Sequence, residues 1–122
     1  MQRTFKKRIA PFVEVALANA KQARSAGDPQ QEFNHLERAH VLGQESTYWH
    51  VKVHALMLLW AIRNGSTRET LGQVFRIIGA ATKTAFGLVP QGNTGGANVS
   101  PFKKMPIEPE LATLIRRAKS DL

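Results

Sequence analysis

Apolar residues recur along most of this chain at intervals of three and four, the spacing of one face of an α-helix. From about Thr4 to Ala26, the residues Phe5, Ile9, Phe12, Val13, Ala16, Ala20 and Ala23 fall on one stripe, with Lys7, Glu14 and Lys21 opposite. Pro11 should either kink this first helix or mark its true first turn, and Gly27 is placed to stop it. Asp28-Pro29-Gln30-Gln31 reads as a helix start: Asp28 suits the N-cap, Pro29 the first turn, and Gln31 the capping-box position. The second helix then runs to about Leu42, where Gly43 ends it. Ser46 or Thr47 caps a third, which continues to about Asn64 before Gly65. Val51, Val53, Ala55, Leu56, Met57, Leu58, Leu59, Trp60 and Ile62 make this helix apolar nearly all round, the pattern of a buried bundle centre. Ser66-Thr67-Arg68-Glu69 is a second capping box, opening a fourth helix with Leu71, Val74, Phe75 and Ile78 as its expected core stripe. Gly72 and Gly79 on it would allow a close helix approach.

The pattern changes at Pro90. Residues 91–100 are rich in Gly and Asn, and Pro101, Pro106 and Pro109 keep the following stretch extended. A short helix from about Pro109 to Ser120, with Leu111, Leu114 and Ile115 as its stripe, closes the chain. The expectation is an all-α single domain over residues 1–122: a helical bundle to residue 90, an extended loop packed on it over 91–108, and a short helix over 109–120. A faint repeat with a 38-residue offset aligns the turn around Gly27 with that around Gly65. It suggests two stacked α-hairpins, tetratricopeptide-like, though two units fall short of the three or more that a solenoid needs.

Composition narrows the chemistry. At 122 residues and 43% hydrophobic the chain can bury a real core, and with no cysteine it offers neither disulfides nor thiolate ligands nor a cysteine nucleophile. No apolar run approaches the roughly 18 residues of a membrane span, and no signal-peptide pattern follows the basic N-terminus. The expectation is a cytoplasmic protein with no membrane insertion. The net charge of +8 favours an acidic partner or a polyanion. The positive charges are scattered over Arg3, Lys6, Lys7 and Arg8, then Lys103 and Lys104, then Arg116, Arg117 and Lys119. That dispersal argues for solvated faces rather than a nucleic-acid surface.

Against this background the four histidines stand out. His35 falls on the far side of the second helix and is expected to be exposed. His40 falls on its packing face, with Glu37 one turn earlier. Burying a carboxylate and an imidazole without partners costs several kcal/mol, so something must compensate them. His50 and His54, four apart, stack on one side of the third helix. The short connection at residues 43–46 makes the two helices antiparallel, which sets His40 level with His50 and Glu37 level with His54. Three imidazoles and a carboxylate could close a tetrahedral metal site, with a donor set suited to Zn²⁺, Fe²⁺, Co²⁺, Ni²⁺ or Cu²⁺. A Glu37–His40–His54 hydrogen-bond network needing no metal would satisfy the same sequence, and both readings stand at this level. Four protein ligands would leave no open position, so an enzyme is the least supported class. Two other classes stay open: an interaction module that docks a protein partner on its basic surface, and a nucleic-acid binder. The Gly92–Gly96 loop resembles a phosphate loop only superficially, since it follows a helix and no Gly-Lys-Ser/Thr closes it. It reads better as a segment laid over the bundle.

Three strings extend this reading by resemblance. They are His-Leu-Glu-Arg-Ala-His-Val-Leu-Gly-Gln at 35–44 with His-Val-Lys-Val-His at 50–54; Val-Pro-Gln-Gly-Asn-Thr-Gly-Gly-Ala-Asn-Val-Ser-Pro-Phe at 89–102; and Met-Pro-Ile at 105–107. Together they resemble a family of short bacterial proteins classed as domain of unknown function three-seven-zero-three, over nearly the whole chain. The resemblance implies no activity. It implies a motif containing the residues that match Glu37, His40, His50 and His54, and members that sit beside heavy-metal resistance and cation-efflux genes, which would favour the metal reading.

Overall fold

A computed structural model describes residues 2–85, 93–97 and 104–120. Among the described residues there are five helices: α1 (Gln2–Ser25), α2 (Pro29–Gly43), α3 (Thr47–Arg63), α4 (Thr67–Ala85) and α5 (Pro109–Lys119). α1 packs on α2, α3 packs on α4, and the two hairpins stack through α2 and α3, while α5 lies across α1 and α2. The chain is therefore all-α and built of packed helix pairs, as the periodicity implies. Of the expected loop over 91–108, residues 91, 92 and 98–103 lie outside the described residues.

The helix ends form where local chemistry places them. The Gln31 amide donates to Asp28 Oδ1 at 3.1 Å, and the Trp49 amide to Ser46 Oγ at 3.4 Å, so Ser46 rather than Thr47 is the α3 cap. Gly27 and Gly65 turn the chain at positive φ, +74° and +69°, where a side chain would be strained. Pro11 sits on the exposed side of α1, nine residues into a helix that begins at Gln2, so it does not mark the first turn. Gly43 is the last residue of α2. A Cβ there would lie 2.6 Å from the Trp49 Cβ, so the small residue lets α2 and α3 meet closely.

Ile9, Val13, Ala16 and Ala20 of α1 interdigitate with Phe33, Leu36 and Leu42 of α2, with Val53 and Met57 of α3, and with Leu111 and Ile115 of α5. Both tryptophans pack and hydrogen-bond: Trp49 Nε1 donates to the Lys6 carbonyl at 3.0 Å, and Trp60 Nε1 to the Pro29 carbonyl at 2.9 Å. The buried Glu32 accepts two bonds from Arg63, at 2.6 and 3.2 Å, joining the start of α2 to the end of α3.

Three expectations are corrected. α3 is not a helix buried on all sides, because Leu59 and Ile62 are 54% and 59% exposed. The α4 stripe of Leu71, Val74, Phe75 and Ile78 faces solvent, while Gln73, Arg76 and Ala80 face the protein. Periodicity fixes which residues of a helix share a face; it does not fix which face turns inward. The close approach at Gly72 is made by the loop, since a Cβ there would lie 2.6 Å from the Cβ of Ala97.

Candidate metal centre

Buried polar groups gather where α2, α3 and α4 meet the segment 93–97. His40 comes from α2, His50 and His54 from successive turns of α3, and Gln73 from the inner face of α4. One ring nitrogen from each histidine lies within 4.8 Å of the others. The ring centroids are 4.6 Å apart for His40 and His54, 4.9 Å for His50 and His54, and 5.0 Å for His40 and His50. All three rings are buried. His35 is partly buried rather than exposed and takes no part in the cluster.

Glu37 does not belong to this group. It is half-buried on α2 and lines a separate surface groove with Arg38, Thr94 and Ile107. Burial pushes its carboxyl pKa up, and so does the Glu69 carboxylate. The structure thus brings together three of the four residues singled out by sequence and leaves the fourth outside.

The hydrogen bonds around the histidines determine which nitrogens carry protons. His40 Nδ1 lies 2.7 Å from the Asn93 carbonyl oxygen. That oxygen can only accept, so Nδ1 carries the proton. His54 Nδ1 lies 2.6 Å from Gln73 Oε1. The Gln73 amide is fixed in this orientation by its other end: Nε2 donates to Glu69 Oε2 at 2.5 Å and to the Gly95 carbonyl at 2.9 Å. Only an NH₂ group can make those two bonds, so the atom facing His54 is the carbonyl oxygen, and His54 Nδ1 carries a proton as well. In their neutral forms both rings therefore carry no proton at Nε2. These two Nε2 atoms are 3.1 Å apart. Two lone pairs at that distance repel, and only a positive species held between them makes the arrangement attractive.

A proton is a poor choice for that species near neutral pH. The His40 pKa is held well below the usual histidine value, first by burial and then by the proximity of His54 and His50, while the hydrogen bond to the Asn93 carbonyl pulls the other way and Arg76 adds a smaller push downward. This has a consequence for the metal-free protein. In the unfolded chain His40 takes up a proton as the pH falls through about 6.5, whereas in the folded chain it resists. The unfolded state then binds more protons, so stability present above that pH is lost below it, at up to about 1.4 kcal/mol per pH unit. The urea midpoint of metal-free protein is expected to fall between about pH 6.5 and 5.5. A midpoint that is flat or rises over this interval would contradict the assignment of a neutral, buried His40.

The loop forms the wall opposite α3. Asn93 is 3% exposed; its carbonyl meets His40 and its Oδ1 accepts from the Gly95 amide at 2.9 Å. Gly95, at φ +87°, lies flat against the imidazole: a Cβ there would stand 2.6 Å from His40 Cδ2 and 2.8 Å from Nε2. Arg76 Nη1 donates to the carbonyls of Gly95, at 2.7 Å, and Gly96. The Ala97 amide donates to the Glu69 carboxylate, at 3.0 Å to Oε2. A cavity of about 30 Å³ adjoins the three imidazoles, bounded by Gln44, Phe75, Arg76 and Gly79. That is room for one or two water-sized groups.

Sequence reading missed Gln73, Arg76, Asn93 and Gly95. Glu69, Gln73, Arg76 and Ala80 recur at i, i+4, i+7 and i+11 and so share the face of α4 opposite its apolar stripe, but that spacing alone does not say that the face turns inward. Nothing in the string 93–97 says which imidazole it will cover.

The family model described as a protein of unknown function, DUF3703, matches residues 7–115. No curated protein and no solved structure matches the chain.

Proposed function

Starting from the fact that the chain belongs to the DUF3703 family, we propose that it binds one transition-metal ion through His40, His50 and His54. The observation that carries this reading is the pair of Nε2 atoms 3.1 Å apart, each on a ring whose Nδ1 proton is already committed to a carbonyl oxygen. Two nitrogens bound at about 2.0–2.1 Å to a tetrahedral Zn²⁺ stand roughly 3.3 Å apart, so His40 and His54 need very little movement to share an ion, and His50, with a ring nitrogen within 4.8 Å of theirs, would close in on it. The outer contacts fit as well. Histidine ligands ordinarily donate the second ring N–H to a carbonyl or carboxylate, which fixes the tautomer and aims the lone pair. Asn93 does this for His40. Gln73, itself held by Glu69, does it for His54.

Three imidazoles suit Zn²⁺, Fe²⁺, Co²⁺, Ni²⁺ or Cu²⁺, and they leave a fourth tetrahedral position free. A water or a small exogenous ligand in the adjoining cavity would fill it. The biological setting this reading fits is metal homeostasis or resistance. The test is stoichiometry: untagged protein dialysed against each metal in turn and analysed for metal content should retain one equivalent of at least one of them. No retention of any metal would end the proposal.

The outer contacts give a graded prediction. Gln73→Leu removes the group that aims His54 while leaving all three imidazoles in place. Loss of such outer partners typically costs 10- to 100-fold in metal affinity, and a titration of the variant is expected to fall in that range. An affinity within about twofold of the parent would mean that Gln73 does not position the ligand.

A further inference from the structure

α4 is an inside-out amphipathic helix. Glu69, Gln73 and Arg76 point at the protein and are engaged by the loop and by His54. On the outer side, every exposed residue between Arg68 and Ala81 is apolar: Leu71, Val74, Phe75 and Ile78, at 67%, 46%, 65% and 67% exposure. Their i, i+3, i+4, i+7 spacing forms an unbroken seam of the kind that packs against another helix. α4 is also an edge element: among the described residues α3 is the one helix on which it packs extensively. The tight turn at Asn64–Ser66 makes the two antiparallel, which sets Ile62 and Leu59 of α3, both more than half exposed, level with the first turns of α4.

We infer that this face is the interface of a homodimer, in which the α3–α4 hairpins of two copies pack about a twofold axis into a four-helix arrangement. Six side chains of this size and exposure present on the order of 700 Å² of surface. Taken over both helices, that is close to the ~800 Å² per partner of a stable interface. Between Leu71 and Ile78 the seam exposes no charged group, Arg68 lying at its start, so the surface it complements is a largely apolar helical face, and a second copy supplies one by symmetry. A lipid surface fits less well. Helices that lie in a membrane interface carry Lys and Arg on the face opposite the apolar one, whereas here that face is turned into the protein and its Arg76 is buried. The inference does not rest on the metal reading, and metal-free protein is expected to dimerise.

Sedimentation equilibrium tests it. The parent chain is expected at twice its 13.5 kDa. Val74→Glu/Ile78→Glu is expected to be monomeric with unchanged helical circular dichroism, its dimer dissociation constant raised roughly 100-fold or more, as expected for charges buried at an interface centre. A second measurement does not depend on that variant folding. The chain has no cysteine, so Val74→Cys or Phe75→Cys should give a disulfide-linked dimer on mild oxidation, while Gln30→Cys, on the exposed start of α2, should not. Three results would overturn the inference: a monomeric parent across the micromolar range, a dimer that survives in the double Glu variant without cross-linking at 74 or 75, or a monomeric parent whose binding to anionic vesicles is lost in that variant.

Discussion

Replacing His54 with alanine is expected to take bound metal from one equivalent per chain to none. His54 contributes one of the two lone pairs that converge, and its removal leaves His40 and His50 without a common third ligand. Loss of an outer partner alone costs 10- to 100-fold. Loss of a ligand should exceed that range and place binding beyond reach at micromolar protein. His40→Ala and His50→Ala should behave alike, since each removes one of the three imidazoles of the cluster. His35→Ala, outside the cluster, should bind as the parent does. Glu37→Gln is the informative companion. Glu37 stands apart from the imidazoles, with its carboxyl destabilised by burial and by Glu69, so the neutral amide should leave metal stoichiometry unchanged. If Glu37→Gln also lost the metal, the carboxylate would have to swing into the site on loading, and the three-histidine account would fail. Thermal unfolding reads the same chemistry independently. A metal at about 1,000 times its dissociation constant stabilises the folded state by about 4 kcal/mol, and this increment should vanish in each His→Ala variant of the cluster.

Gly95→Ala is expected to be the most damaging single change outside the ligands. Two separate costs meet there. The backbone sits at φ +87°, which a residue with a side chain adopts only under strain, and the new methyl would meet the His40 ring at 2.6–2.8 Å. His40 cannot give way, because its Nδ1 is bound to Asn93 and its other edge faces His54. The loop must therefore lift. Lifting it weakens the Gln73 and Arg76 bonds to the Gly95 carbonyl and the Asn93 bond to His40. A loss of about 2–4 kcal/mol is expected, together with weaker metal binding. Gly27→Ala is the matched control. Gly27 has nearly the same φ, +74°, but nothing within 4 Å of the added carbon. Its cost is backbone strain alone, about 1 kcal/mol. Equal urea midpoints for the two variants would show that Gly95 is not pressed against the site.

Much of this architecture is legible in the amino-acid pattern, for identifiable reasons. Helix boundaries follow from caps and glycines, which act within a few residues. Asp28, Ser46, Gly27 and Gly65 do what their chemistry dictates. The meeting of His40 with His50 and His54 follows from a short turn and the 3.6-residue repeat. Three things were not legible. The inward face of α4 is one: its apolar stripe reads as core, yet it faces solvent because Gln73 and Arg76 are drawn in by the loop and by His54. That is a tertiary preference, and helical periodicity carries no record of it. The partner of His54 is another. Register arguments place Glu37 beside it, but an α4 amide takes that position. Asn93–Ala97 is the third, since a Gly-rich segment owes its path to what it covers. The sequence pattern left open whether the histidines form a metal site or a polar network. The structure contains network contacts at the Nδ1 atoms of His40 and His54, and it brings their Nε2 atoms to 3.1 Å.

Nitrogen-15 NMR of the imidazole rings tests that arrangement most directly. In metal-free protein near neutral pH, His40 and His54 should each show a protonated Nδ1 and an unprotonated Nε2. One equivalent of Zn²⁺ should then move both Nε2 resonances sharply while the Nδ1 protons stay in place. Rings protonated at Nε2, or Nε2 resonances that do not respond to any of the five metals, would contradict the account.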